Sequence, residues 1–233
     1  MKIYRTMLTA ALAAAMLICL SGCSVKLNYN YDNADKYIPG DREIAEKIEI
    51  IDIDYMAGNV TVKGDKMATV TVKETSKTEI DDKLKVHTWV DGSTLHVKYC
   101  AADKGLSIKD LKKTLEITVP ADVKLSDLSI DDSAGDVDVT AESIGKLAID
   151  ISSGSLKLSA DKAPEKSEID SSAGNIEIYL PEKTDMTLEA DISAGDFNSE
   201  IPFTKKGDAY IFGNGKSKMD IDASAGDVGI KKK

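Results

Sequence analysis

From about residue 50 onward, apolar and polar positions alternate in short runs, and successive runs are joined at a glycine. One pattern recurs: apolar-x-apolar-Asp-x-Ser-Ala-Gly-Asp/Asn-apolar-x-apolar. Its copies read LSIDDSAGDVDV, LAIDISSGSLKL, SEIDSSAGNIEI, LEADISAGDFNS and MDIDASAGDVGI, with IDIDYMAGNVTV as an earlier relative. The corner glycines are Gly58, Gly135, Gly154, Gly174, Gly195 and Gly226. From Gly135 the spacings are 19, 20, 21 and 31 residues, and 77 residues separate Gly58 from Gly135. Five residues before the glycine stand Ile53, Ile130, Ile149, Ile169, Ala190 and Ile221. Two after it stand Val60, Val137, Leu156, Ile176, Phe197 and Val228. Four after it the column stays apolar except at Ser199. Alternation with period two on both sides of the glycine predicts two half-buried strands per copy. The glycine marks a sharp corner that needs positive φ or close backbone approach.

Two strands and a corner every ~20 residues form a unit that cannot bury its apolar face alone, so copies must stack. The expected fold is all-β, a right-handed β-solenoid-like stack with antiparallel hairpins in the N-terminal part. An antiparallel β-sandwich is the alternative, since Ser-Ala-Gly links also close hairpins. If the whole domain coils, about ten rungs at ~4.8 Å give a rod of roughly 50 Å. Leu84–Val90 and Thr94–Tyr99 flank Asp91-Gly92, which predicts a type I′ hairpin pairing Val90 with Ser93 and His87 with His96. Gly213-Asn214-Gly215 predicts a second hairpin inside the 31-residue unit. Both would cover the open edges of the stack.

The first 22 residues differ in kind. Lys2 and Arg5 precede an almost unbroken apolar run from Met7 to Leu20, which is too short to span a bilayer and fits a signal-peptide core. Leu20-Ser21-Gly22-Cys23 follows and resembles the lipobox of bacterial lipoproteins. The resemblance implies cleavage before Cys23 and a lipid on its thiol, with two acyl chains giving stable anchoring. The expected organisation is therefore a signal peptide at 1–22, a lipidated Cys23 and tether at 23–43, and a β-repeat domain at 44–233. The three tyrosines of the tether could instead dock on the domain. Cys100 is then alone and is expected to be a small buried hydrophobe.

Composition narrows the chemistry. The formal charge is −10, and removing Lys2 and Arg5 makes it −12. Only two Arg, two His and one Trp occur. An acidic chain this poor in Arg is excluded as a nucleic-acid binder. Two histidines on one hairpin support no Ser-His-Asp arrangement, and no catalytic residue is assigned. His87 and His96, facing each other, could hold zinc or copper only with further ligands. The acids are ordered. Four residues before each corner glycine stands Asp54, Asp131, Asp150, Asp170, Asp191 or Asp222. Asp131, Asp150, Asp170 and Asp191 are expected one rung apart. Turn capping is the expected role of this column, and calcium is a candidate cation for Asp131, Asp150, Asp170, Asp191 and Asp222. No other cofactor is called for.

The Ser-Ala-Gly-Asp corners at 133–136, 193–196 and 224–227 carry a resemblance to the bacterial "putative adhesin" β-strand-repeat domains, a family of unknown function. It covers about residues 45–230. It implies an exported or membrane-attached module that is not an enzyme, held on the extracytoplasmic side by its lipid. Such a module would bind or scaffold, with an envelope protein or surface polymer as partner. An accessory or sensor in envelope stress signalling is the alternative, and a carbohydrate-active β-helix enzyme is a third reading.

Overall fold

The computed structural model describes residues 27–77, 79–106, 113–121 and 123–233. The signal segment and Cys23 lie outside them. In chain order the strands are β1 (Leu27–Tyr29), β2 (Ile38–Pro39), β3 (Arg42–Ile44), β4 (Ile50–Tyr55), β5 (Gly58–Asp65), β6 (Val70–Ser76), β7 (His87–Asp91) and β8 (Thr94–Lys98). They continue as β9 (Lys104–Leu106), β10 (Lys113–Pro120), β11 (Leu125–Asp132), β12 (Val137–Ala141), β13 (Ile144–Ile151), β14 (Leu156–Ala160), β15 (Lys166–Ser171) and β16 (Ile176–Leu180). The last are β17 (Met186–Ile192), β18 (Phe197–Ser199), β19 (Thr204–Lys206), β20 (Ala209–Phe212), β21 (Ser217–Ala223) and β22 (Val228–Lys232). Among the described residues the helical content is one 3-10 turn, Ala34–Lys36.

Two sheets face each other. The first has the order β2-β7-β8-β4-β11-β13-β15-β21-β17-β20-β19, and the second β3-β6-β10-β5-β12-β14-β16-β22-β18. Each repeat copy gives one strand to each sheet, and copies pair in parallel, in register. Ile53, Ile130, Ile149, Ile169, Ile221 and Ala190 form one column. Val60, Val137, Leu156, Ile176, Val228 and Phe197 form its counterpart across the core. All but Ala190 and Phe197 are buried. The expected solenoid-like stack is the fold, and the parallel ladders rule out the antiparallel sandwich.

The rung order departs from the sequence. The last copy, β21/β22, lies between β15/β16 and β17/β18. Asp191 is therefore paired with Asp222, and not with Asp170 as expected. The reason is visible in the columns. The copy with Ala190 and Ser199 at apolar positions has the weakest core face, and it takes the end of the stack. The copy with Ile221, Val228 and Ile230 fills an interior slot. To reach it, the chain forms β19 and β20 outside β17, then turns back through Gly213–Gly215. The hairpin of this unit thus closes at Gly207-Asp208, between Lys206 and Ala209, and Gly213-Asn214-Gly215 is a return loop.

The N-terminal hairpin is shifted by one turn position. Asp91 pairs with Thr94, Val90 with Leu95 and Trp89 with His96. Gly92 (φ 61°) takes the first loop position. It is the one residue of this loop with positive φ, whereas a type I′ turn needs two. A two-residue slip keeps every side chain on its face, so alternation alone could not choose between the registers. β8 then joins β4 in parallel and extends the stack.

The expected tether is part of the fold from Leu27 onward. β1 pairs with β9, β2 with β7 and β3 with β6. Tyr29 is buried, and its hydroxyl donates to the Asp54 carbonyl at 3.0 Å. Docking of the tyrosines is what the structure shows. Beneath this end lies a buried ion pair, Lys113 Nζ to Glu74 Oε1 at 2.8 Å, with side chains 1% and 3% exposed. The Tyr55 hydroxyl and the Val86 N–H donate to Glu74, and Lys113 also donates to the carbonyls of Leu84 and Tyr99. Every polar atom of the pair is occupied, as a buried pair requires.

Candidate functional site

The corners set the geometry of the whole side surface. At Gly174 the backbone has φ 140°, and a Cβ there would fall inside the carbonyl of Gly154 one rung earlier. The rungs can approach this closely only with no side chain at the corner. The residue after the glycine then links one rung to the next. Asn59 accepts from the Asp136 N–H at 3.3 Å, Asp136 from Ser155 at 2.9 Å, Asn175 from Asp227 at 3.0 Å, and Asp227 from Asp196 at 2.9 Å. Capping at the corners is done by this column, whereas the column four residues before the glycine faces outward along the first sheet.

That outward column is a ladder of like charge. Asp54, Asp131, Asp150, Asp170, Asp222 and Asp191 pair in register across six rungs. Two residues upstream on the same face runs a second column, Asp52, Ser129, Ala148, Glu168, Asp220 and Glu189. Beyond it stand Lys146, Lys166 and Lys218 on consecutive rungs. At the N-terminal end the acids meet cations: Lys98 Nζ lies 3.1 Å from Asp54, and His96 Nδ1 lies 3.0 Å from Asp52. Toward the other end the two columns line an open groove of about 620 Å³ with Lys205, Asp208 and Tyr210. Desolvation between its neighbours, reinforced by the charges of Asp150 and Asp54, pushes Asp131 up to about 6. Partial burial also raises Asp150.

The outer face of the second sheet is different. There Lys63 meets Glu116 at 2.8 Å, Lys231 meets Glu177 at 2.6 Å and Lys157 approaches Asp138 at 3.9 Å. Each half-exposed pair contributes little to stability, but together they balance the charge of that face. The asymmetry makes the outer face of the first sheet the candidate functional surface.

Other candidates resolve differently. His87 and His96 do not meet. His96 stacks on Trp89 with centroids 5.1 Å apart. His87 is buried opposite Lys98, and burial lowers its pKa. Cys100 is buried, as expected of a small apolar side chain. Among the described residues no three His, Cys, Asp or Glu side chains converge in a way that could hold a metal ion. The ladder carboxylates point outward at about one strand spacing, ~4.8 Å, instead of converging on a point. Two features lay beyond the sequence reading. Glu74 and Lys113 come from outside the repeats, and no motif links them. Asp132 occupies an inward column otherwise filled by Tyr55, Ile151, Ser171, Ile192 and Ala223. A charged residue at an apolar position of the repeat alignment was a visible signal for it.

A parallel two-sheet stack with glycine corners and no converging catalytic or metal-binding group among its described residues defines a β-strand-repeat module. Residues 121–231, the C-terminal part of the repeat stack, match the model of the Toastrack family, DUF4097. Among solved structures, one described as a "putative cell adhesion protein" from Clostridium sporogenes superposes with a TM-score of 0.60 at 16% identity, covering 84% of this chain and all of that one. A second, described as a "putative adhesin" from Bacteroides fragilis, has a TM-score of 0.35 at 14% identity, covering 84% of this chain and 97% of its own. At these identities the first likeness concerns the fold. No curated protein matches the chain.

Proposed function

We propose that this chain is a non-catalytic, lipid-anchored module of the cell envelope, exported and held on the extracytoplasmic side through Cys23, which binds its partner through the outer face of the first sheet. The observation that carries the reading is the in-register acid ladder over six rungs, set against a second sheet that balances its own charges. A rigid, repetitive acidic face suits an extended partner carrying regularly spaced positive charge, as an envelope protein or surface polymer can. Support for the anchor comes from the Leu-Ser-Gly-Cys motif directly after the apolar run. The adhesion designation of the Clostridium sporogenes structure agrees with a binding role.

The anchor is tested in a host that processes lipoproteins. Cys23→Ala should leave the membrane fraction and accumulate as precursor or soluble protein, and the wild-type mature N-terminus should carry a diacylglyceryl mass. Unchanged fractionation without lipid mass refutes this part of the reading.

A further inference from the structure

At the N-terminal end of the stack, beyond the groove, the outer face of the first sheet carries an aromatic row, with Trp89 stacked on His96. Tyr31, Tyr37 and Trp89 form a row, with centroids 4.8 Å apart for the first pair and 5.7 Å for the second. All three are partly exposed. Lys36 Nζ stands 4.5 Å from the centre of the Trp89 ring. Beside them Ile38, on the outermost strand of the first sheet, is 50% exposed. The chain enters the described fold at Leu27, whose strand leads through Tyr29 into this row.

We propose that this end of the stack rests on the lipid surface, with Ile38 and the Tyr31–Tyr37–Trp89 row at headgroup level. The inference rests on Cys23 being the anchor. Three residues separate Cys23 from Leu27, and the four residue steps span at most about 14 Å in any conformation. The anchor therefore holds this end, and no other, against the bilayer. Tyrosine and tryptophan, each with an apolar body and a polar edge, are the side chains that settle at such an interface. A half-exposed isoleucine gains by leaving water there. The contact is not electrostatic. Residues 27–44 carry Asp32, Asp35, Asp41 and Glu43 against Lys36 and Arg42, so anionic lipid offers them nothing. The stack would then stand on its N-terminal end and lift the groove at β15, β21 and β17 away from the membrane.

Trp89 is the sole tryptophan of the chain, which makes the test direct. The lipidated protein is reconstituted in phosphatidylcholine vesicles containing headgroup nitroxide lipid, and flotation confirms attachment. Emission of Trp89 should fall roughly two-fold, as for an indole at headgroup depth. Ile38→Asp, with an unchanged melting temperature, should recover part of that emission, and phosphatidylglycerol should not deepen the quenching. A Trp89→Phe/Phe203→Trp protein reports from the opposite end, about eight strand spacings or ~38 Å away, and should stay bright. Protein that floats with Trp89 unquenched overturns the docking and leaves the anchor intact. Equal quenching at both ends, or quenching that needs anionic lipid, also overturns it. Protein that does not float overturns the anchor, and the docking with it.

Discussion

Replacing Gly174 with alanine should lower stability by at least about 4 kcal/mol, above the ordinary range for a single substitution. In a domain of this size that is a fall in melting temperature of ~10 °C or more. Two costs add. A φ of 140° is strained for any residue with a Cβ, and the added methyl would overlap the Gly154 carbonyl. The neighbour is backbone inside a ladder paired on both sides, so relief requires separating rungs. Gly207→Ala is the control. Its φ is 62°, but no atom lies within 4 Å of a Cβ there. Its expected cost is about 1 kcal/mol. Thermal or denaturant melts of both variants decide the point, and equal costs would mean that the corners do not stack.

Asp132 should make the protein more stable in mild acid than at neutral pH. Its side chain is fully buried, neither carboxyl oxygen has a partner of normal hydrogen-bond geometry, and desolvation pushes its pKa up to about 7. The Ala134 N–H lowers it too weakly to compensate. Because the folded pKa lies above the unfolded value of 3.8, the folded state holds the proton more tightly. Stability from this group is therefore highest below about pH 4 and declines as pH rises toward 7. Across that window the loss is of order 4 kcal/mol, at 1.4 kcal/mol per pH unit. Asp132→Asn removes the ionisation, so it should stabilise the protein at pH 8 and flatten its profile between pH 4 and 7. Asp131, held near 6, adds a slope of the same sign. Denaturant melts across this range test it. A wild-type profile that rises toward neutral pH, or an Asn variant less stable than wild type at pH 8, would contradict the account.

Much of this architecture was legible in the sequence because a repeat states its constraint six times. Columns such as Ile53–Ile130–Ile149–Ile169 identified inward positions, and the glycines marked the corners. What the columns could not carry is order. Parallel strands with equivalent faces pair equally well in several sequences, and the choice was made by the defects at Ala190 and Ser199, which cost least at an end. The hairpin slip had the same origin, since either register keeps Leu95 and Val97 inside. The acid ladder was legible residue by residue. Its role as a continuous outward face was not, because capping and display both place Asp at that position. The corner bonds of Asp136 and Asp227 show which column does the capping. Glu74 and Lys113 left no trace, since their partnership is set by how β6 meets β10.

The central claim, that the first sheet's outer face is the binding surface, is tested most directly by attachment of the labelled mature domain to intact cells of its host. Wild-type protein should bind saturably and lose binding as salt screens the ladder. A triple variant, Asp170→Asn/Asp191→Asn/Asp222→Asn, should bind at least about ten-fold more weakly, a loss of roughly 1.4 kcal/mol. Its melting temperature should be equal to or above wild type, because removing aligned like charges relieves repulsion. Undiminished binding by the folded triple variant would contradict the claim and move the functional surface elsewhere on the stack.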